Sequence, residues 1–564
     1  MTLIKQDDQK ERINGLLRRF EKGKELRRRY ETELWQPAME FCDPQAGSMI
    51  SGWLTQPGEK RGQKAFEGTP IWAKSILVNG LVSGLIPDNY KWFKWNVFPL
   101  WLNDNASVKK WLQKCEDVTY LALNDTNYSE ASAAVFDQQA TYGTGIKYTE
   151  YDLQKLVVFQ TLRLTDCVIL ENARGRVDTL FREFKWSVRN AFKEWGENSP
   201  DLIKRAYESG NYDDEYTFCH FVFPREDYDT SRSDRQNMPW ASLWVCPREK
   251  KLLDEGGYQV FPFSVPRWWK AVGEGPWGRG PAIQALQDMG VLNQQEKTNL
   301  LAGHKMVEPA LMIPYDGFTK ALDLGPNAQN IYKRNDAGKI EPIITIANLP
   351  FALDQQEKKA KAVARHFHTD VFLMLNELGK DMTAFEVMER KQEKLMILGP
   401  TLGRQRQEHL DSDLDIIFHL LLTNGHFPPM PDILLQYGEK IETQYTSPLA
   451  IAQRRMDIDA TMRTYQSAGK ILELTGKTDA LDALNDERAI RLIADREAVP
   501  IEILNSEEEV QAIRQVKAQQ AQQAQAAQMA MAATQGAKNL GDIQTMPEKP
   551  NLLTDIVKNA RGAE

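Results

Sequence analysis

The residues with the clearest capacity for chemistry are three aspartates in "DSDLD", namely Asp411, Asp413 and Asp415. Alternating carboxylates begin calcium-binding loops, and clustered carboxylates can hold catalytic metal ions. The glycine and the distal glutamate of a calcium loop are missing, and the surrounding pattern predicts a helix, on which alternate residues diverge. We therefore interpret the cluster as a solvated helix face, and we keep a metal-dependent nucleic-acid enzyme as an alternative.

Other short motifs also fall short of a catalytic signature. His366 and His368 in "HFH" lie two apart on a predicted helix, so they diverge too, and a lone helix supplies no third metal ligand. The segments "GTG" and "GEGPWGRG" lack the strand, helix and Lys-Ser/Thr context of a nucleotide-binding loop, so we interpret them as tight turns. The sequence thus predicts a protein that is not an enzyme and that uses no cofactor or metal.

Composition sets the broad class. The chain has 564 residues, 42% of them hydrophobic and 26% charged, which predicts several soluble domains rather than one core. A net charge of −8 argues against a protein that coats nucleic acid. The absence of an apolar leader or of an uncharged apolar run near 18 residues argues against secretion and membrane spanning. Five scattered cysteines without a CxxC pair predict buried, reduced thiols: Cys42, Cys115, Cys167, Cys219 and Cys246.

The first half of the chain mixes helices and strands. A charged helix is predicted from Asp8 to Cys42, and a buried helix between Pro70 and Pro87. Short segments that alternate apolar and polar residues then predict half-buried antiparallel strands. They are "KWFKWNVFPLWL", "GIKYTEY", "KLVVFQTLRL", "CVILEN", "VDTLFREFKWSV", "EYTFCHFVFP", "ASLWVCP" and "YQVFPFSVP". Together they predict an α+β domain that ends near Gly280.

Two long helices with a small β module between them predict a stalk. The outgoing helix covers residues 281–305 and the returning helix residues 353–375, so each is about 35 Å long at 1.5 Å per residue. The charged residues of the outgoing helix sum to zero, so the helix should neither grip nor strongly repel a polyanion. They are Asp288, Glu296, Lys297 and Lys305.

The last part of the chain is predicted to be mainly helical. A helix should start at the Thr383 capping box, kink at Gly399-Pro400 and end at Asn424-Gly425. Beyond Pro431 the chain should be almost wholly helical, with an Ala/Gln-rich helix after Ser506 that needs neighbouring copies for stability. Residues 536–564 are predicted to form a mobile tail.

This order of parts resembles the portal, or head-to-tail connector, proteins of short-tailed, podovirus-type bacteriophages. The resemblance extends roughly from Leu16 to Gln535 and rests on several ordered aromatic, glycine and proline patterns rather than on one motif. One departure is Glu67-Gly68-Thr69, where the family usually has an Asp-Ser-Thr-like turn. The matching stretches are "KAFEGTPIWAKSILVNGLVSGLIPDNYKWFKW", "ATYGTGIKY", "ENARGRVDTLFREFKWSVRNAF", "PWGRGPAIQALQDMGVLNQ" and "DMTAFEVMER".

The resemblance implies an α+β multidomain portal fold. In it, residues 1–280 form a mixed wing domain, 281–305 and 353–375 a helical stem, and 306–352 a small β-containing clip. Residues 376–432 form a tunnel loop and a long kinked helix, 433–535 an α-helical crown, and 536–564 the tail.

The resemblance also implies a function and its partners. Made in the bacterial cytoplasm, such a protein forms a ring, usually of twelve subunits, at one capsid vertex of the virion. The ring nucleates assembly with capsid and scaffolding proteins, docks the terminase large subunit, passes double-stranded DNA and later carries the tail adaptor and tail proteins. The chain has no phosphate-binding loop, so the power for packaging should come from terminase. A non-viral, self-associating helical scaffold is a second alternative.

Two groups of site residues follow from the resemblance. The first group should contact DNA in the channel: Lys297, Lys305, Asn376, Glu377, Lys380 and Asp381. In the tunnel loop these residues place an acid, a base and an acid around Gly379, whose missing β-carbon favours movement. The second group should dock partners on the clip: Asn327, Lys333, Arg334 and Asn335.

Overall fold

The structure is a computed structural model. It describes residues 2–50, 59, 61–88, 91–229, 232, 234–307, 311–312, 341–342, 349–373, 399–438, 440–475, 484–496 and 507–543. The chain forms two compact units, Met1–Met456 and Asp457–Glu564. No helix in these described ranges combines the length and the apolar character needed to cross a membrane.

The N-terminal helix begins at Thr2, six residues before the predicted start at Asp8, and it ends at Cys42 as predicted. Helix α1 (Thr2–Tyr30) continues through a π-helical turn, Glu31–Trp35, into α2 (Gln36–Cys42). Of the residues on its inner side, Ile13, Phe20 and Trp35 are buried. Arg27 and Glu31 form a buried ion pair of 2.6 Å where the helix widens. Burial of these two charges is tolerable because each neutralises the other.

Three helices and one strand follow. They are α3 (Thr69–Leu85), β1 (Phe93–Phe98), α4 (Ala106–Asn124) and α5 (Tyr128–Tyr142). The side chain of Asn105 caps α4, and Gly143 ends α5 at a φ of 86°, a left-handed conformation that favours glycine. The predicted strand "KWFKWNVFPLWL" is extended only in its first half, because residues Leu100–Asp104 form a 3-10 helix.

Eight further strands form two antiparallel sheets. The three-stranded sheet has the order β3-β2-β9 and the five-stranded sheet the order β4-β5-β6-β7-β8. Strand β8 was not predicted, because "KLLDEGGY" contains two glycines and no alternation. The strands are β2 (Lys147–Asp152), β3 (Leu156–Thr161), β4 (Cys167–Glu171), β5 (Val177–Ser187), β6 (Glu215–Pro224), β7 (Trp240–Cys246), β8 (Lys251–Tyr258) and β9 (Phe263–Ser264).

Helices cover both faces of the five-stranded sheet. On one face Phe20 of α1 packs edge-on against Phe221, with ring centroids 5.9 Å apart. On the other face lie α6 (Val188–Trp195) and α7 (Asp201–Glu208), with the Trp195 and Phe218 rings in a tilted contact at a centroid distance of 4.7 Å. Each buried aromatic ring contributes about 2–3 kcal/mol of burial free energy. The predicted α+β class is confirmed, and all five cysteines are buried and free, as predicted.

The stalk region and the segment from α12 to α13 follow these two sheets. Their elements are α8 (Pro281–Gln284), α9 (Leu286–Val307), β10 (Leu311–Met312), β11 (Glu341–Pro342), α10 (Leu349–His366), α11 (Thr369–Leu373), α12 (Gly399–Arg404), a π-helical segment Gln405–Leu410 and α13 (Asp411–Thr423). Strands β10 and β11 pair antiparallel, so strands do occur between the two stalk helices. Residues 374–398, which include the predicted Thr383 cap, lie outside the described residues.

The prediction of an almost wholly helical chain beyond Pro431 is wrong at one strand. After α14 (Asp432–Tyr437), strand β12 (Lys440–Tyr445) pairs antiparallel with β1, more than 300 residues earlier in the chain. The remaining helices are α15 (Pro448–Thr475), α16 (Asp486–Arg496) and α17 (Glu507–Ile543). Residues 536–543 are helical rather than part of a tail, and residues 511–529 of α17 are all exposed within its own unit.

Candidate functional site at the helical stalk

The stalk is an antiparallel pair of helices, α9 and α10, with 22 and 18 residues. At 1.5 Å per residue they are about 33 and 27 Å long. The returning helix differs from the prediction of one continuous helix over 353–375. It begins at Leu349 and breaks after His366, where His368 has a φ of 52°. The break lets α11 pack on α3, where Gly80 leaves room for Phe372.

Polar side chains join the two stalk helices. Asp288 of α9 accepts hydrogen bonds from Lys359 (2.8 Å) and His366 (3.3 Å) of α10. The Lys359 ammonium lowers the pKa of Asp288 below its usual range. These contacts link the two helices near the start of α9.

A second contact group involves the side-chain amide of Gln356. It accepts a hydrogen bond from Asn299 (2.7 Å) and donates to Glu296 and to Glu67 (3.2 Å). Glu67 belongs to the turn that departs from the family pattern. Its carboxylate also accepts hydrogen bonds from the main-chain nitrogen and the hydroxyl of Thr69, the first residue of α3. Glu67 therefore contacts both the start of α3 and the stalk.

The predicted neutrality of α9 does not describe its exposed surface. Its two acids, Asp288 and Glu296, bond to α10, whereas Lys297 and Lys305 are exposed. The Lys297 ammonium lies 5.4 Å from the centroid of the Phe66 ring. The exposed charges of α9 are therefore positive, which a sum over the sequence could not reveal.

Helix α10 adds a charged row that the sequence analysis did not single out. Lys358 and Lys361 pair with Asp354 (2.7 Å) and Glu357 (2.6 Å), each four residues earlier. Arg365 is exposed one turn beyond them. The other predicted site residues lie outside the described residues: Asn376, Glu377, Lys380 and Asp381 of the expected tunnel loop, and Asn327, Lys333, Arg334 and Asn335 of the expected clip.

Glycines attach the base of the stalk to the turn that follows α5. At Gly143 an added β-carbon would lie 2.5 Å from the main chain of Arg279, and at Gly278 it would lie 2.3 Å from the carbonyl oxygen of Gly143. The main chain of Gly278 also donates to the Thr144 hydroxyl at 2.8 Å. The segments "GTG" and "GEGPWGRG" are therefore two turns that cross in direct backbone contact. Only residues without side chains can approach this closely.

Ion pairs hold the long helix beside this crossing. The Arg267 guanidinium binds both carboxylate oxygens of Glu408 (3.0 and 2.7 Å), and it also contacts Glu171. Glu408 belongs to the π-helical segment between α12 and α13. Arg267 is almost fully buried, so these contacts are little screened by solvent. These contacts tie the helical segment from α12 to α13 to the loop that precedes the stalk.

The aspartates of "DSDLD" do not form one solvated face, so that interpretation is wrong for Asp413. Asp413 is fully buried and accepts hydrogen bonds from Lys147 of β2 (2.6 Å) and Tyr128 of α5 (3.1 Å). Asp411 accepts a hydrogen bond from the Tyr445 hydroxyl. Asp415 is exposed, as expected. Burial raises the pKa of Asp413 and lowers the pKa of Lys147, and the mutual attraction of the two groups opposes both shifts.

His409 completes the buried cluster. Its Nε2 lies 3.2 Å from the Lys147 ammonium, and its ring packs edge-on against Phe136. The sequence analysis singled out neither Lys147, which lies in the alternating strand segment "GIKYTEY", nor His409. Among the described residues, no group of three or more His, Cys, Asp or Glu side chains could hold a metal ion. His366 is an ordinary helix residue, whereas His368 lies at the helix break.

Two buried histidines predict a loss of stability in acid. Burial lowers the pKa of His220 and of His409 well below the usual range, and the neighbours Arg182 and Lys147 lower it further. The folded chain then binds fewer protons than the unfolded chain. The stabilisation is complete above the unfolded pKa near 6.5 and falls by about 1.4 kcal/mol per pH unit for each histidine below it.

The measurement compares the parent chain with a His220→Asn variant between pH 7.5 and 5. Below pH ~6.5 the stability difference between them should change by about 1.4 kcal/mol per pH unit in favour of the variant. A difference that stays constant across this range would contradict a neutral buried His220.

Comparison with known proteins adds independent information. The family described as bacteriophage head to tail connecting protein matches residues 14–504. The portal protein of Salmonella phage epsilon15 is 28% identical over 97% of this chain and 98% of its own length. The probable portal protein of Bordetella phage BPP-1 is 27% identical over 94% of this chain and 95% of its own.

A solved structure is similar at a lower level. One chain of the solved virion of a native gene transfer agent (GTA) particle aligns with 77% of this chain and with 91% of its own length, with 11% identity and a TM-score of 0.31. That similarity is too low to support an argument about this fold.

Proposed function

The chain belongs to the family of bacteriophage head-to-tail connecting proteins, and on that premise we propose that it is a viral portal protein. The observation that carries the proposal is the family match over residues 14–504, together with two portal relatives that align over nearly their whole length. Portal proteins are structural components of the virion: they form oligomeric rings and connect the capsid to the tail.

In this proposal the ring of copies sits at one capsid vertex and surrounds an axial channel for double-stranded DNA. The stalk helices α9 and α10 serve as the stem, and the segment with β10 and β11 serves as the clip. Ring nucleation would involve capsid and scaffolding proteins, and the clip would dock terminase and then the tail adaptor. Asn327, Lys333, Arg334 and Asn335 are the clip residues we propose for this docking.

The charges of the stalk suit a DNA channel. Most of its acids are paired with neighbouring bases, and Lys297, Lys305 and Arg365 are exposed. A few dispersed cations attract phosphate, whereas a dense basic lining would hold DNA through the release of many counterions. We propose that Asn376, Glu377, Lys380 and Asp381 add alternating charge at the tunnel loop.

Other features support this assignment over the alternatives. A metal-dependent nucleic-acid enzyme would need Asp411, Asp413 and Asp415 around one accessible site, but Asp413 is buried against Lys147. Helix α17 exposes residues 511–529, and an exposed Ala/Gln-rich helix gains little from packing. We propose that neighbouring copies cover it in the crown. Because β12 pairs with β1, we place the start of the crown after Tyr445.

The test combines imaging with a deletion. Electron microscopy of the purified chain should show closed rings with a central pore. Deletion of residues 378–380 should leave the rings and procapsids unchanged, but packaging should stop short or packed DNA should leak, because the tunnel loop no longer reaches the DNA. A variant with residues 378–380 replaced by Ser-Gly-Ser is the length control. Open or irregular oligomers from the parent chain would favour the scaffold alternative, and full, stable heads from the deletion variant would refute the role of the loop.

A further inference from the structure

Side chains cover one edge of β1 and the outer edge of β3. One edge of β1 bonds to β12, and its other edge bonds to polar side chains of neighbouring helices. The Tyr120 hydroxyl bonds to the main-chain nitrogen (2.7 Å) and oxygen (2.9 Å) of Phe93. Glu116 accepts from the nitrogen of Trp95 (2.8 Å). Covered edges of this kind prevent unwanted pairing with other chains.

The same device recurs at two further places. Asn103 bonds to both the nitrogen (2.8 Å) and the oxygen (2.9 Å) of Val97 in β1. Asn127 bonds to the oxygen (2.8 Å) and the nitrogen (3.2 Å) of Phe159 on the outer edge of β3. These main-chain groups on the edges of β1 and β3 are thus satisfied within the chain.

Strand β12 differs. Phe93, Trp95 and Val97 direct their main-chain groups away from β12, and they lie opposite Tyr445, Thr443 and Ile441. In an antiparallel pair, residues opposite each other share the same orientation, so these three residues of β12 also point away from β1. Within the described part of the chain, the main-chain groups on this outer edge make no hydrogen bond.

An apolar surface adjoins the start of this open edge. We call it the apolar patch; its side chains are each 45–67% exposed, and they are Phe98, Leu100, Trp101, Leu435 and Tyr437. The Trp101 and Tyr437 rings touch edge-on, with centroids 5.8 Å apart, although they lie on different segments of the chain. Exposed apolar clusters of this kind mark protein interfaces.

We propose that the outer edge of β12 pairs with an extended segment of a second copy of this chain, and that the apolar patch anchors that copy. An open strand edge selects an extended main chain as its occupant, because only a strand matches its spacing of donors and acceptors. The inference rests on the proposed ring. In a ring the copies are held at high local concentration, and strand edges left open there would cause aggregation unless a neighbouring copy covered them.

The test uses a proline at Thr443. Thr443→Pro removes an outward N–H and blocks an added strand, while the bonds between β12 and β1 remain, because proline is tolerated at outward positions of edge strands. Thr443→Val, which keeps the N–H, is the matched control. We expect the proline variant to melt as the parent does but to assemble into rings at least about tenfold less, and the valine variant to assemble normally, as measured by native mass spectrometry.

Hydrogen exchange of the parent ring keeps the inference testable if the proline variant fails to fold. The amides of Ile441, Thr443 and Tyr445 should be protected in the ring. Free exchange of these amides, or normal assembly of the proline variant, would overturn the proposal. Protection that appears only after a different protein is added would overturn the assignment to a second copy. A parent chain that forms no rings would instead contradict the proposed function, and the inference with it.

Discussion

Replacement of Gly278 by alanine is expected to separate the turn that precedes the stalk from the turn that follows α5. The added methyl group would lie 2.3 Å from the carbonyl oxygen of Gly143 and 3.0 Å from the β-carbon of Arg267. Overpacking of a rigid site costs about 1–3 kcal/mol, and here the obstacle is main chain, which cannot rotate away. The folded protein should lose at least that much stability, and soluble yield should fall.

Gly143→Ala should be more damaging, because two costs combine. Its φ of 86° strains any residue with a β-carbon by about 1–3 kcal/mol, in addition to the contact of 2.5 Å with Arg279. Thermal unfolding and soluble yield are the measurements. Gly273→Ala is the control for strain alone, because its φ is 81° but its surroundings are open. Gly290→Ala in α9 has open space and helical geometry, so it should stabilise by about 0.4–1 kcal/mol.

These four variants distinguish the contact from the conformation. If Gly278→Ala unfolded at the parent temperature, the two turns would not be in backbone contact. If Gly143→Ala and Gly273→Ala lowered the stability by the same amount, the left-handed conformation alone would explain the effect of Gly143→Ala.

The second large effect is expected from the buried pair of Lys147 and Asp413. Both side chains are fully buried, and their atoms are 2.6 Å apart. Lys147→Met leaves a buried carboxylate without its cation, and Asp413→Leu leaves a buried ammonium without its anion. Each single variant should lose about 3–5 kcal/mol, because an unpaired charge in the interior is strongly unfavourable.

The double variant, Lys147→Met with Asp413→Leu, is the decisive comparison. It removes both charges and fills similar volume, so its stability should return to within about 1 kcal/mol of the parent or exceed it. The measurement is a double-mutant cycle on the unfolding of the first compact unit. Additive losses in the double variant would show that the two side chains act independently, contrary to the buried pair. Arg365→Gln on the exposed face of α10 is a control that removes charge without burial, and it should change stability by less than about 0.5 kcal/mol.

Local elements could be predicted from the sequence because their signals are local. The apolar spacing of α3, the alternation along β5 and β6, the proline at the start of α15 and the glycine after α5 each constrain a few consecutive residues. Strand β8 was not predicted, and strand β9 is shorter than predicted, because glycines and prolines weaken the alternating pattern. The family could be predicted for a related reason: several such local patterns occur in one order along the chain.

The contacts between distant segments were decided by the tertiary structure. Asp413 and Lys147 are 266 residues apart, and each alone looks like a surface residue in the sequence. The same holds for Gly143 and Gly278, which the sequence marks only as turns, and for β12, whose partner β1 lies far upstream. The sequence by itself therefore determined where most helices and strands form and to which family the chain belongs. Only the folded chain decided which charges are buried together, which turns cross and which distant strands pair, because a local pattern carries no information about the partner that will face it.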